Sequence, residues 1–326
     1  MTGPLRIGLI GCGRAAERLW LPTFRAVDEA RLTAVVDPRA ERGDLIASAM
    51  PTCRRVESPE ALFGGGDVDA VIVATPAETH FALACSGIQA GIPLLVEKPL
   101  VSTVNQALEL EALRQATKAT VMVGFNRRWW LPIRRLREQL QGRGPSPVQA
   151  ELVFVTQADR WGAVAGVPDL LDDLATHQLD LLRFLLGHEI GSVAARRIGG
   201  RDVRMEVSLT DGSVATCRVS HDGSPEESVR VAAEPLSAWI YAKSDRTVPP
   251  GGATRFALDL GGRAWRRLAG RPSSLLRSFE YELRGFIATI RERTEPNPGV
   301  QDAIAVARAV AAARRSLATG GLPVTP

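Results

Sequence analysis

The sequence predicts an α/β fold, in which a doubly wound parallel sheet is followed by an α+β domain built on a largely antiparallel, open sheet. From residue 5 to about residue 123, short apolar runs alternate with longer helix-like segments, and a glycine-containing turn follows the first run. After Arg127 the pattern changes to hairpin-like runs, which indicates a second kind of sheet. We therefore expect two domains, residues 1–123 and residues 124–326.

The strands of the first domain are predicted from short apolar runs, and the intervals between the runs are long enough for crossover helices. These predicted strands are 5–10, 32–36, 70–74, 94–96 and 120–123, with helices at 78–90 and 104–117. This alternation is typical of a parallel sheet covered by helices.

In the second domain, a basic amphipathic segment leads into a cluster of glycine and proline at 142–147, which ends any helix. Asp211-Gly212 indicates a hairpin turn between two strands. An apolar pattern with helical spacing ends at Gly187, a residue type that favours helix ends. The predicted strands are 148–156, 193–198, 203–209, 213–221 and 228–233, and the predicted helices are 170–186, 273–293 and 300–317, of which the last two are expected to pack back across the domains.

The composition is that of a chain with sizeable cores, because 45% of its 326 residues are hydrophobic. The net charge of +4 comes from scattered arginines, which does not indicate a nucleic-acid partner. No apolar stretch approaches the roughly 20 residues that span a bilayer, so no membrane partner is expected. The cysteines lack C-x-x-C spacing and no secretory leader is recognised, so we expect a reduced, cytoplasmic protein without a metal site.

The turn after the first strand has the pattern of a dinucleotide site. Gly11-x-Gly13-x-x-Ala16 joins a predicted strand to a predicted helix, so the backbone can approach a pyrophosphate at the helix N-terminus. Asp37 ends the second strand, where a carboxylate accepts hydrogen bonds from ribose hydroxyls and favours NAD. Arg39 keeps NADP possible, because a guanidinium can pair with a 2′-phosphate.

Other candidates follow later strands at the same edge of the sheet, where open α/β folds bind ligands. Capping or packing is the favoured interpretation of His80. The full set of predicted cofactor-binding residues is Gly11, Gly13, Arg14, Ala16, Asp37, Arg39, Thr75, Pro76, His80, Glu97 and Lys98.

Asp173 and His177 lie four residues apart on the helix predicted at 170–186, which places both side chains on one face. On this spacing alone, a solvated pair on a helix surface is the plainer interpretation. His188 and His221 are interpreted as structural or exposed residues.

Several motifs in order make the chain resemble the glucose–fructose oxidoreductase, inositol dehydrogenase and rhizopine catabolism (Gfo/Idh/MocA) family. The resemblance covers nearly the whole length. It is carried by Gly-Cys-Gly-Arg-x-Ala-Glu at 11–17, Ala-Thr-Pro at 74–76, Glu-Lys-Pro-Leu at 97–100, Gly-Phe-Asn-Arg-Arg at 124–128 and Asp-x-x-x-His-x-x-Asp at 173–180.

The resemblance implies a Rossmann domain and an NAD(P)-dependent dehydrogenase or reductase. Such an enzyme transfers hydride between nicotinamide and a secondary alcohol or ketone of a polyhydroxylated small molecule such as a sugar or cyclitol. It implies that Lys98, Asp173 and His177 serve the substrate: His177 as general base, Lys98 by stabilising alkoxide charge, and Asp173 by orienting the substrate or the histidine. Asn126 and Arg127 are further substrate-binding candidates. A homodimer or homotetramer formed through the open sheet is also implied.

Two other functions remain open at this stage. One is a non-catalytic NAD(P)-binding sensor, and the other is an enzyme whose tightly bound cofactor is recycled between substrates. The identity of the substrate is the property least safely inferred from the resemblance. Ala175 stands where glycine is common in the family, and residues 162–168 stand where a glycine-rich segment often precedes the Asp-x-x-x-His helix. Trp129, Trp130 and Trp161 fit a sugar-stacking wall or buried anchors, and we favour anchors for at least two of them.

Overall fold

The fold is given by a computed structural model, which describes residues 3–142, 146–157, 169–233, 236–241, 244–248 and 274–326. The chain divides into two compact units. The first unit contains Met1–Asn126 and Phe279–Ala307, and the second contains Arg127–Ser278 and Arg308–Pro326. Each unit is therefore assembled from two separate segments of the chain.

The first unit is built on a parallel sheet with the strand order β3-β2-β1-β4-β5-β6. Its strands are β1 Leu5–Ile10, β2 Ala30–Val36, β3 Arg54–Arg55, β4 Ala70–Val73, β5 Leu94–Glu97 and β6 Val121–Gly124. The strand order reverses between β1 and β4, and doubly wound sheets bind ligands at the carboxyl ends of the strands beside this point. The predicted doubly wound sheet is confirmed.

Burial explains which of these strands the sequence could predict. Every residue of β4 is buried, as are all but one residue of β1, because helices cover both faces of such a sheet. β3 was not predicted, since it consists of two exposed arginines at the edge of the sheet. The helices of this part of the chain are α1 Leu21–Ala26, α2 Ala40–Ser48, α3 Pro59–Gly64, α4 His80–Gln89 and α5 Val104–Thr117.

The second unit is built on a sheet with the order β13-β12-β11-β7-β10-β9-β8. β7 pairs in parallel with β10, and the other neighbouring pairs are antiparallel, so the predicted largely antiparallel sheet is confirmed. Gly212 has φ +88° in the turn between β9 and β10, as the hairpin prediction requires. The strands are β7 Gln149–Val155, β8 Ile190–Gly199, β9 Asp202–Leu209, β10 Val214–Ser220, β11 Glu226–Ala233, β12 Leu236–Tyr241 and β13 Ser244–Val248.

The helix predicted at 170–186 is not regular. A π-helical turn, Leu171–Ala175, precedes the α-helical part, and the helix ends at Gly187 with φ +75°. A second π-helical turn, Ala16–Trp20, follows the glycine turn after β1. Single π-helical turns are often found at functional sites. The remaining helices are α6 Leu131–Gln141, α7 Thr176–Leu186, α8 Ser274–Glu292 and α9 Val300–Ala318.

Two possible features are not seen in the part of the chain that the structure describes. None of its helices has the length and apolar character needed to cross a membrane. Within the same ranges, no three side chains of the metal-binding types are grouped to hold a metal ion.

Candidate active site

The loop after β1 brings two stretches of backbone into close contact. Gly11 has φ +96°, and a Cβ there would lie 2.5 Å from the carbonyl oxygen of Ala74, so conformation and space both require glycine. A Cβ at Gly13 would meet no atom within 4 Å. The open space beside Gly13, at the start of the following helical turns, fits the pyrophosphate of a dinucleotide.

Asp37 is held in place by the backbone around it. The side chain is only 5% exposed; Oδ2 accepts from the backbone N–H of Cys12 at 2.8 Å, and Oδ1 accepts from that of Arg39 at 3.0 Å. The guanidinium of Arg39 also lies 3.4 Å from Oδ1 and is largely exposed. A fixed carboxylate at the carboxyl end of β2 fits the ribose hydroxyls of NAD, so the glycine loop and Asp37 together fit this cofactor.

Cys12 stands between the two glycines of this loop and is buried. Burial, with a further contribution from the charge of Asp37, raises the pKa of its thiol to about 12. The thiol therefore stays protonated near neutral pH and is not a nucleophile.

His80 connects two of the motif loops of the first unit. Its ring is buried, with Nδ1 2.8 Å from the carbonyl oxygen of Pro99 and Nε2 2.9 Å from that of Thr75. The ring thus joins the loop after β4 to the loop after β5, which carries Lys98. These contacts support the packing interpretation of His80.

The stability of the protein is expected to fall in mild acid because of His80. Burial lowers the pKa of the ring below its ordinary 6.5; the two carbonyl contacts oppose this shift, and the charge of Lys98 adds to it. The unfolded chain then binds a proton that the folded chain does not, so the free energy of unfolding decreases as the pH drops below 6.5. Urea unfolding between about pH 5 and pH 8, with His80→Gln as the comparison, measures this component. Parallel pH profiles for the wild type and the variant would contradict the expectation.

Lys98 directly follows β5, whose last residue is Glu97. Gly124 of β6 pairs with Glu97, and a Cβ there would lie 3.0 Å from the Cα of Glu97 and 3.1 Å from its Oε2. The glycine that opens the Gly-Phe-Asn-Arg-Arg motif therefore leaves room for Glu97. Among the other predicted cofactor residues, Ala16 is buried, Thr75 and Lys98 are half-buried, and Arg14 and Pro76 are exposed.

In the second unit, two consecutive arginines reach two residues of α7. Nη1 of Arg127 lies 3.3 Å from Nε2 of His177. Nη2 of Arg128 lies 2.6 Å from Oδ1 of Asp180, in a pair that is buried on both sides. The Gly-Phe-Asn-Arg-Arg motif thus contacts the Asp-x-x-x-His-x-x-Asp motif, which lies about fifty residues later in the sequence. The substrate-binding role predicted for Arg127 stays a prediction.

The surroundings of Arg127 determine the form of His177. Arg127 makes a bidentate pair with Glu227, at 2.8 and 3.3 Å, and its guanidinium lies 5.0 Å from the ring centre of Phe154. Because an arginine N–H can only donate, Nε2 of His177 accepts the hydrogen bond and carries no proton. His177 is therefore a neutral imidazole whose acceptor nitrogen is occupied by Arg127, so it can act as a general base when a substrate hydroxyl replaces this contact.

Asp173 lies in the π-helical turn and contacts a residue to which the sequence assigned no role. Nε2 of His221 lies 3.1 Å from Oδ2 of Asp173, and the imidazole is buried. The prediction for Asp173 and His177 assumes a regular α-helix, whereas the wider π-helical turn changes the angle between the two side chains. The separation of 48 positions between Asp173 and His221 explains why no local pattern indicated this pair.

The remaining predicted residues are placed as follows. Asn126 is 2% exposed and is the last residue of the first segment of its unit. Trp130 is 1% exposed, which confirms it as a buried anchor, and Trp129 is half-buried with the guanidinium of Arg134 over its ring. Trp161 and the segment 162–168 lie outside the described residues.

Comparison with known proteins identifies the family. Residues 5–125 match the Gfo/Idh/MocA family, described as an oxidoreductase family with an NAD-binding Rossmann fold. The chain is 34% identical over 231 residues to inositol 2-dehydrogenase 2 of Paenarthrobacter aurescens, covering 68% of this chain and 67% of that one. It is 33% identical over 194 residues to inositol 2-dehydrogenase 4 of Saccharopolyspora erythraea, covering 59% and 57% respectively. This chain thus spans between just over half and about two thirds of these relatives.

A solved structure agrees with these matches at the level of the fold. The crystal structure of a myo-inositol dehydrogenase from Corynebacterium glutamicum aligns with a TM-score of 0.81 and 20% identity, covering 99% of this chain and 98% of that one. Motifs, topology and sequence matches point to one conclusion: the chain belongs to the Gfo/Idh/MocA family of NAD-binding oxidoreductases.

Proposed function

We propose that this protein is an NAD-dependent dehydrogenase that acts on a secondary alcohol of a polyhydroxylated, cyclitol-like substrate. The observation that carries the proposal is the dinucleotide-binding loop, in which Gly11 allows the close backbone approach, Gly13 leaves open space for a pyrophosphate and Asp37 presents a fixed carboxylate. The fixed carboxylate of Asp37 supports NAD as the cofactor. The names of the two inositol 2-dehydrogenase relatives support a cyclitol as the substrate class.

Three residues of this chain divide the work of proton transfer and charge stabilisation. Bound NAD supplies the acceptor for hydride. The substrate hydroxyl replaces Arg127 at Nε2 of His177, which takes the hydroxyl proton while the C–H bond breaks and returns it in the reverse reaction. The ammonium of Lys98 donates a hydrogen bond to the same oxygen and stabilises its developing negative charge. Asp173 accepts a hydrogen bond from the substrate and orients it, with Asn126 and Arg127 as further substrate contacts.

Calorimetric titration with NAD(H) and NADP(H), followed by a panel of stereoisomeric inositols, sugars and keto-sugars, tests this proposal. We expect NAD to bind more tightly than NADP, because the carboxylate of Asp37 repels a 2′-phosphate. Protein that binds neither cofactor would overturn the proposal. Tight binding without turnover across the panel would favour a sensor, and cofactor that survives desalting would favour recycling of a bound cofactor.

We also infer that the chain forms a homodimer or homotetramer through the sheet of the second unit. Large apolar side chains of this unit are exposed: Ile198 at 55%, Val214 at 48% and Leu322 at 63%. Burying them against another copy removes apolar surface from water. Light scattering at micromolar concentration is expected to give the mass of two or four chains, and a monomer would contradict the inference. The cytoplasmic location and the lack of nucleic-acid and membrane partners stay predictions.

A further inference from the structure

We propose that His221 is a positioning residue for the reaction: its imidazole donates a hydrogen bond to Asp173 and fixes the orientation of this carboxylate toward the substrate. The proposal rests on the proposed function, in which Asp173 orients the substrate. It adds to the predicted trio of Lys98, Asp173 and His177 a residue from a different part of the chain, directly after β10.

The pair has a defined direction. An ionised carboxylate only accepts hydrogen bonds, so Nε2 of His221 donates to Oδ2 of Asp173 across the 3.1 Å that separates them. The side chain of His221 is 1% exposed and that of Asp173 is 21% exposed. The imidazole is thus enclosed by protein, whereas the carboxylate is still partly accessible to solvent. A role of His221 in the reaction is therefore exerted through Asp173.

The backbone that carries His221 is held on both sides. The N–H of His221 donates to the carbonyl oxygen of Arg201 at 3.0 Å, and the N–H of Arg201 donates to Oδ2 of Asp222 at 2.9 Å. The hydroxyl of Ser220 donates to the carbonyl oxygen of Asp222 at 2.8 Å. These bonds fix the backbone position from which the imidazole extends. The ring can therefore hold the carboxylate of Asp173 in one place.

The helix that carries Asp173 is also fixed. Nε2 of Gln178 donates to the carbonyl oxygen of Arg218 at 3.1 Å, which attaches α7 to β10 close to His221. At the start of the π-helical turn, Nη2 of Arg314 lies 3.0 Å from Asp169 and 2.7 Å from Asp172. With both backbones held, the bond between His221 and Asp173 restricts the rotation of the carboxylate itself.

The two imidazoles of this region therefore carry their protons at different atoms. Nε2 of His177 accepts from Arg127, whereas Nε2 of His221 donates to Asp173. The first nitrogen can take a proton when a substrate hydroxyl replaces Arg127, and the second holds the carboxylate of Asp173 in a fixed direction for a substrate hydroxyl.

Two substitutions of His221 separate hydrogen bonding from packing. His221→Gln keeps an N–H donor of similar reach, and His221→Phe keeps a ring without a donor. We expect His221→Phe to lower kcat by about ten- to a hundredfold with unchanged affinity for NAD, and His221→Gln to retain most of the activity. The matched control is His188→Gln, because His188 is 47% exposed and faces Asp211 at 3.6 Å. Activity of the Phe variant equal to or above that of the Gln variant would overturn the proposal.

A second measurement does not depend on turnover. The chain has four histidines, so the ring nitrogens can be assigned by NMR on protein labelled with 15N-histidine. We expect His221 to carry its proton at Nε2 and its ring signals to shift in Asp173→Asn. If no polyol is turned over, the proposed function fails while this measurement still decides the hydrogen bond. A proton at Nδ1 alone, or signals unaffected by Asp173→Asn, would refute the pair.

Discussion

Replacing His177 by asparagine is expected to lower kcat by about a hundred- to ten-thousandfold and to leave the affinity for NAD unchanged. The neutral imidazole is the proposed proton acceptor, and an amide cannot take its place. The shorter side chain of asparagine does not reach the position of Nε2, and the guanidinium of Arg127 is still held by Glu227 at 2.8 Å. Arg127 therefore keeps its pair with Glu227 and its contact with Phe154, and the loss reports on proton transfer.

Steady-state kinetics with an accepted polyol, and calorimetric titration with NAD, measure the two quantities. His188→Asn is the control, because His188 is largely exposed and we assign it no role in the reaction. A His177→Asn enzyme with a kcat close to that of the wild type would show that another group takes the proton.

Replacing Asp180 by asparagine is expected to lower the free energy of unfolding by about 3 to 5 kcal/mol. The carboxylate accepts three hydrogen bonds from Arg128, between 2.6 and 3.1 Å, and the two side chains are 1% and 6% exposed. Asparagine preserves the shape of the side chain and removes its charge. The guanidinium of Arg128 then loses the negative charge of Asp180 while it stays buried, which is the origin of the loss.

Urea unfolding gives this free energy, and two further variants test its cause. Asp202→Asn breaks a pair with the same 2.6 Å separation, but its partner Arg218 is 44% exposed, so we expect a loss of at most about 1 kcal/mol. The double variant Arg128→Met/Asp180→Leu removes both charges and is expected to recover most of the stability. Equal losses in Asp180→Asn and Asp202→Asn would contradict the role of burial.

Local signals in the sequence predicted much of the fold. The bounds predicted for β1 and α5 are those observed, because apolar residues define β1 on either side of the single exposed Arg6 and Thr103 caps α5 by accepting from the N–H of Gln106. The glycine at position 11 was predicted from its pattern, and the contact with Ala74 gives the reason for it. Where a residue's role is set by its own segment, the sequence was sufficient.

The partners of polar side chains could not be predicted in the same way. Arg127 and Arg128 are adjacent and chemically identical, yet one contacts a histidine and the other a buried carboxylate. The π-helical turn before α7 has the same apolar spacing as a regular helix. His221 stands at a strand end, where most polar residues face solvent, and only the packing of β10 against the π-helical turn gives it a partner. These features depend on tertiary contacts between distant segments.

The division of each unit into two chain segments affects how the protein can be made. The indole of Trp20 meets the ring of Phe279 edge-on at 5.4 Å, and Leu283 and Phe286 are fully buried in the second segment of the same unit. During synthesis the nucleotide-binding unit therefore stays incomplete, with Trp20 uncovered, until the ribosome has translated most of the chain. A recombinant fragment that stops after Asn126 exposes the same apolar surface, so a stable nucleotide-binding fragment has to be joined to residues 279–307.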